Sequence, residues 1–237
     1  MKQILFAFNE PVAYLKKIKA IVLAELHIGI EVEFKQKLRL FQAKRMAERV
    51  ISVADFFKAR RIVIVGDVKH EIPSVAFVEV KGIEELFSQL ANFEIYVCKG
   101  NHDGRLEELI PESVKVRVAP PAGLRLGDYS FFHGHAWPSK DVLQAKVIFT
   151  AHLHPVVLVK RKGGLMQLRC WVMAKLSKDK VEEKYGIKSK AKVILLPAFN
   201  NLVAGIDVRE AKDSIFFKLV DEKSLRFYSL EGVELKP

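Results

Sequence analysis

RIVIVGDVKH, residues 61–70, is the stretch whose pattern decides the fold. Behind one arginine come four β-branched residues, and Gly-Asp follows at once, a turn signal that carries a carboxylate. A short unbroken apolar run marks a strand covered on both faces, whereas a half-exposed strand alternates. IKAIVLA (18–24) lies ahead of it and FEIYVC (93–98) behind. Longer amphipathic stretches separate these runs. From Phe34 to Lys58, Phe34, Leu38, Phe41, Ala47, Val50, Ile51, Ala54 and Phe57 fall close to one helical face, with Lys and Arg on the other, and Gly82 to Asn92 forms a second such segment. Strands alternating with helices predict an α/β fold with crossover helices.

After Asp103 the runs become short and closely spaced: VKVRVA (114–119), LRLGDYSFF (124–132), KVIFT (146–150) and PVVLVK (155–160). They predict a second, more antiparallel sheet. Within a Lys-rich excursion near 161–192, LMQLRCWVMAKL reads as a strand and SKDKVEEKYG as a short polar helix. VILLPAFN (193–200), SIFFKLV (214–220) and SLRFYSL (224–230) are expected to close the domain as strands. No repeat, low-complexity tract or long Pro/Gly/Ser linker interrupts the chain, so residues 1–237 are read as one domain, two packed mixed sheets with helices outside.

Half of the chain is hydrophobic, enough for a substantial core. Cys98 and Cys170 stand alone in apolar runs, which argues against a disulfide framework or a thiolate zinc site. The opening KQILFAFNEP lacks the apolar core and cleavage site of a signal peptide, and no apolar run approaches the ~20 residues that cross a bilayer. A cytoplasmic protein without a membrane partner is expected. Lys and Arg outnumber Asp and Glu by 39 to 28, a formal charge of +11, which favours anionic partners such as phosphorylated metabolites or nucleic acid.

The metal-capable residues sit immediately after the apolar runs: AELHIG (24–29), GDVKH (66–70), GNHDG (100–104), HGH (133–135) and AHLH (151–154). In open α/β sheets, sites are assembled from loops beyond the carboxyl ends of strands, so these segments can meet in one crevice. Imidazole with carboxylate, and no thiolate, suits Mn, Fe, Co, Ni or Zn in a catalytic setting. A carboxylate such as Asp67 can bridge two ions ~3.5–4 Å apart, and such a pair activates water and clamps phosphoryl oxygens. The matching substrate is a phosphorus ester.

In its order and spacing the set AELHIG, GDVKH, GNHDG, HGH, AHLH resembles the calcineurin-like metallophosphoesterases, whose pattern runs D-x-H, G-D, G-N-H-D/E, H, G-H-x-H. The resemblance covers residues 25 to 154; EPVAYL, GDVKHEI and LPAFN are further similar to an archaeal branch related to DNA-repair exonuclease subunits. It implies α/β/β/α layers and two divalent ions, Mn above Fe, Zn, Co or Ni, with a metal-bound hydroxide attacking a phosphomonoester or phosphodiester. It also implies a nuclease or nucleotide phosphodiesterase as the specific form, and a homodimer as a common assembly. By position, Glu25, His27 and His154 would hold one ion, Asn101, His133 and His152 the other, and Asp67 would bridge. His102 would face the substrate with Asp103 orienting its ring, while His70, His135 and Asn200 are candidates for the pocket wall. Trp137 and Phe199 read as packing residues.

Two positions depart from the pattern. Glu25 replaces Asp and is one methylene longer, and Glu25→Asp is expected to maintain or raise activity. Ala151 replaces Gly, which matters only if that backbone needs positive φ. A second class of function follows from the first departure: a nucleic-acid-binding or regulatory module that keeps the scaffold and has lost catalysis.

Overall fold

A computed structural model of the chain describes residues 3–32, 39–70, 77–161 and 164–236. Two sheets pack face to face. The first runs β1 (Ile4–Phe6), β2 (Ala13–Leu15), β3 (Ala20–Leu23), β4 (Arg61–Ile64), β5 (Glu94–Cys98) and β6 (Val116–Ala119), in that spatial order. Strands β3 to β6 are parallel; β1 and β2 join antiparallel at one edge. The second sheet contains β7 (Leu124–Leu126), β8 (Tyr129–Phe131), β9 (Val147–Thr150), β10 (Pro155–Arg161), β11 (Gly164–Lys175), β12 (Lys192–Leu195) and β13 (Ile206–Asp207). Its spatial order is β13-β10-β11-β12-β9-β8-β7, and β14 (Arg226–Ser229) pairs with β11 and with β15 (Glu234–Leu235). Here β8, β9 and β12 form a parallel core inside an otherwise largely antiparallel sheet.

The unbroken apolar runs are explained by burial on both faces. Along β3, Ala20 and Val22 face the second sheet, meeting Phe131, Phe149 and Trp171, while Ile21 and Leu23 face helices. Helix α1 (Arg39–Phe57) covers that outer face with Ala43, Met46, Ala47, Val50 and Ala54, at the i, i+3, i+4 spacing of one helical stripe. Phe34 and Leu38 of the expected stripe lie outside the described residues. Helix α2 (Phe77–Gln89) packs beside α1 with Ile83, Leu86 and Phe87. Gly82 of α2 is required there, because a Cβ would press on the Ile28 side chain. The second sheet is covered by α3 (Lys140–Leu143), α4 (Lys178–Tyr185) and α5 (Ile215–Leu219), which bring Val142, Val181, Phe216 and Phe217 onto Ile148, Val172 and Leu195. The layers are therefore α/β/β/α.

Two expectations are corrected. SIFFKLV is a helix, not a strand: the Ser214 hydroxyl accepts from the Phe217 N–H as a cap, and Phe216, Phe217 and Leu219 turn inward together. An apolar run of this length fits either state, and capping decides it. VKVRVA joins the first sheet rather than the second. A single helical turn, Leu106–Leu109, returns the chain so that β6 runs parallel to β5 as an edge strand. The strand at 164–175 and the polar helix at 178–185 form as expected. Cys98 and Cys170 are buried and unpaired, and burial pushes both thiols up to about 12.

Phe87 fills the angle between α2 and the sheet with no exposure. Phe87→Ala should cost about 3–5 kcal/mol in a urea unfolding titration. A loss under about 1 kcal/mol would mean that this face does not close as described.

Candidate metal centre

The strands that carry the metal-capable residues all end at one margin of the two-sheet stack. Chain leaving β3 supplies Glu25 and His27, chain leaving β4 supplies Asp67 and His70, and chain leaving β5 supplies Asn101 and His102. From the second sheet, β8 leads into His133 and His135, β9 into His152 and His154, and β12 into Asn200. Backbone bonds splice these exits together. Glu25 N–H donates to the Gly66 carbonyl, His27 N–H to that of Asp67 and Ala151 N–H to that of His133. Phe199 N–H and Asn200 N–H donate to the carbonyls of Ala24 and Glu25 across the sheets.

Close approach sets the local conformation. Gly66 and Gly100 leave room that a Cβ would take from the His133 ring and from Asp67. Five non-glycine residues here adopt left-handed backbone: Glu25 (φ 61°), His27 (43°), Asp67 (51°), His152 (75°) and His154 (42°). Each such residue costs on the order of 1 kcal/mol or more, and strain of this kind gathers at functional sites. Ala151 is not among them, so its replacement of glycine carries no backbone penalty.

Glu25 is the hub. It has no exposure, and its Oε1 accepts from His133 Nε2 (2.9 Å) and the His152 N–H (2.6 Å), while Oε2 accepts from His27 Nε2 (2.9 Å) and His154 Nε2 (2.8 Å). The extra methylene is what carries this carboxylate to both sides of the site. Aspartate would end about 1.5 Å short and give up part of the set, so the free exchange with Asp expected from sequence does not follow from the geometry. Asp67 lies between the two groups. Its Oδ1 accepts from the His102 N–H (2.9 Å), and Oδ2 is 3.3 Å from His133 Nε2 and 3.8 Å from His27 Nε2.

Among the described residues, three sets of donor atoms lie within 4.8 Å of one another: Glu25–His27–His154, Asp67–His133–His152 and His27–His70–His102. The first gathers the residues that the resemblance assigns to one ion, and the second joins His133 and His152 to Asp67, the residue expected to bridge, without Asn101. Asn101 is exposed on the turn between Gly100 and His102. The third draws in His70, whose Nδ1 is 3.3 Å from His27 Nδ1, and His135 joins from the other side at 2.8 Å from His133 Nδ1. Asn200 is buried behind the cluster. Its amide donates to the Leu26 carbonyl (2.8 Å), so it supports the Glu25–His27 loop as well as lining a neighbouring cavity.

The charges are consistent with a site for cations. Burial alone would raise the Glu25 carboxyl, but His133 and His154 hold it well below the usual range, and Asp67 is lowered against its burial by His133. Burial opposes charge on His133, yet Glu25 and Asp67 push it up to about 10; His154 is raised by Glu25 in the same way. His152, half-buried and facing charged His133, falls to about 4. Buried carboxylates thus draw protons onto neighbouring imidazoles. Metal ligation requires neutral imidazole, so a divalent cation would take the place of those protons. The donor set therefore fits divalent metal ions.

Asp103 does not orient His102. Its buried carboxylate accepts the N–H groups of Asp67 (2.8 Å), Val68 (2.8 Å), Lys69 (3.3 Å) and Gly100 (2.8 Å), tying the loop after β4 to the loop after β5. Burial and nearby Asp67 push its pKa up to about 6. The His102 ring instead donates from Nδ1 to the His70 carbonyl. Sequence reasoning missed Glu79, which accepts the His70 N–H at 2.6 Å from the first turn of α2. Nothing local to Glu79 distinguishes it from an ordinary helical glutamate.

Neither a protein-family model nor a curated protein matches the sequence. Among solved structures, the chain is similar to nuclease MPE from Pseudomonas putida, with a TM-score of 0.63 at 19% identity over 98% of this chain and 99% of that one. Two weaker likenesses are Yfce, a phosphoesterase from E. coli (TM-score 0.38, 20% identity, 62% and 75% covered), and a predicted phosphoesterase from Streptococcus pneumoniae TIGR4 (0.32, 13%, 91% and 91%). At 19% identity the likeness to the nuclease is one of fold alone. Among the described residues no helix is long and apolar enough to cross a membrane.

Asp103→Ala leaves several buried N–H groups without an acceptor and should cost about 3 kcal/mol or more in chemical denaturation. His102→Ala, half-exposed with one ring bond, should cost about 1 kcal/mol. Equal losses would contradict the division between loop tie and site residue.

Proposed function

We propose that the chain is a metal-dependent phosphoesterase acting on phosphodiesters or phosphomonoesters, with a nuclease as its specific form. The observation that carries this is the convergence of Glu25, Asp67 and the imidazoles of His27, His133, His152 and His154 from four strand exits on one strained, largely buried cluster. Glu25, His27 and His154 would hold one divalent ion; Asn101, His133 and His152 the other; Asp67 Oδ2, facing both groups, would lie between them. Bound ions would supply the Lewis acidity and the acidified water that phosphoester hydrolysis needs.

The chain's own groups do the rest. Left-handed backbone at five positions fixes the donors before any ligand arrives, so little reorganisation remains to be done. His102, at the edge of the cluster, keeps its Nδ1 proton on the His70 carbonyl, and this leaves Nε2, 4.0 Å from Asp67 Oδ2, to exchange a proton with a leaving oxygen. Glu79 holds His70 and thereby the carbonyl that orients His102. The nuclease form is supported by the fold shared with a nuclease and by the +11 charge.

Hydrolysis of bis-p-nitrophenyl phosphate with Mn²⁺ tests this. Asp67→Asn and His102→Ala should each lower kcat by about 100-fold or more, and Glu25→Asp, which retracts the hub, by about 10- to 100-fold. No hydrolysis by the parent with any divalent ion, alongside salt-sensitive DNA binding, would favour the non-catalytic module. Parent-like activity of Glu25→Asp would show that the hub geometry is dispensable.

A further inference from the structure

Asn200, one hydrogen bond from the backbone of Glu25, also lines a cavity of about 440 Å³ beside the cluster. Three arginines line it, Arg45 and Arg49 from α1 and Arg169 from β11, against the single carboxylate of Glu10. Arg49 is fixed twice: Nη2 donates to Glu10 Oε2 at 2.6 Å, and the guanidinium lies 4.2 Å over the Phe199 ring. Arg169 is half-buried and donates from Nη1 to the Ala198 carbonyl at 2.9 Å. Two guanidinium groups are therefore clamped onto residues 198–199, the segment that leads directly into Asn200 and the metal loop.

This wall carries a surplus of positive charge. Glu10 is bonded to Arg49, whereas among the described residues Arg169 bonds to a carbonyl, and burial together with the charge of Arg49 holds its pKa below the usual arginine value against the opposing pull of Glu10. Arginines held side by side with N–H donors unspent are suited to bidentate contact with phosphate, and an oxyanion between them would relieve their repulsion. Asn201 adds an amide to the lining, while that of Asn200 is engaged by the Leu26 carbonyl and the Leu202 N–H. The volume lies within the ~300–1,000 Å³ of ligand clefts and exceeds what one phosphate needs.

We propose that this cavity takes a phosphate of a polynucleotide strand whose neighbouring phosphodiester lies at the imidazole cluster. This rests on the phosphoesterase reading and deepens it, since the substrate becomes a strand rather than a simple ester.

The test compares kcat/KM on a single-stranded oligodeoxynucleotide with kcat/KM on bis-p-nitrophenyl phosphate, which has no second phosphate. Arg45→Ala, Arg169→Ala and the double variant are assayed with Mn²⁺; Arg45 is exposed, so its removal leaves the fold intact. The ratio between the two substrates should fall at least tenfold in the double variant. The log–log salt dependence of oligonucleotide binding should flatten by about 0.7 per arginine removed. A ratio held within twofold, or a parallel loss on both substrates, would overturn the proposal. Inhibition by a free mononucleotide that depends on these arginines, without any effect on the strand, would reassign the cavity to a nucleotide and overturn it too. A parent that cleaves neither substrate, yet binds the oligonucleotide through the same arginines, would overturn hydrolysis and leave the phosphate site standing.

Discussion

The Glu25 carboxylate is the interaction on which the rest of the centre depends. It is buried, bonded through one oxygen to His133 and the His152 backbone of the second sheet, and through the other to His27 and His154. Burial of an unpaired carboxylate costs several kcal/mol. Four donors offset that cost and in doing so lock two sheets together at their functional margin. Removing the charge would leave His133 buried beside Asp67 alone, so the hub binds structure and chemistry into one requirement.

The same margin stores strain. Five left-handed residues at on the order of 1 kcal/mol each amount to a sizeable fraction of a typical folding free energy. The core opposes it: the inter-sheet layer around Phe131, Phe149 and Trp171, and the two helix-covered faces, pack the strands on both sides up to the exits that carry the strain. Asp103 supplies the local counterpart by gathering four N–H groups from two loops. A rigid scaffold with a strained edge is what pre-organised binding of highly charged groups demands.

Much of this was legible in the chain. IKAIVLA, RIVIV and FEIYVC announce strands covered on both faces, and each is followed at once by metal-capable residues, which points to a candidate site at the carboxyl ends of these strands. Less legible was anything set by neighbours distant in sequence. SIFFKLV reads as a strand until the Ser214 cap turns it, and VKVRVA reads as part of the second sheet until the turn at 106–109 returns it to the first. Asp103 sits beside His102 and looks like its partner, but a side chain one residue away can face the opposite direction, and four N–H donors in the loops outcompete a ring. Glu25 is the sharpest case. Sequence shows a lengthened carboxylate, whereas the reach of that length to both donor groups exists only in three dimensions.

The most direct test of the account is anomalous scattering at the manganese edge from crystals grown with Mn²⁺. Two peaks about 3.5–4 Å apart, one on each side of Asp67 Oδ2 and flanked by Glu25, are the predicted result. No peak at this cluster, with the Glu25 carboxylate still bonded to His27, His133 and His154, would contradict it.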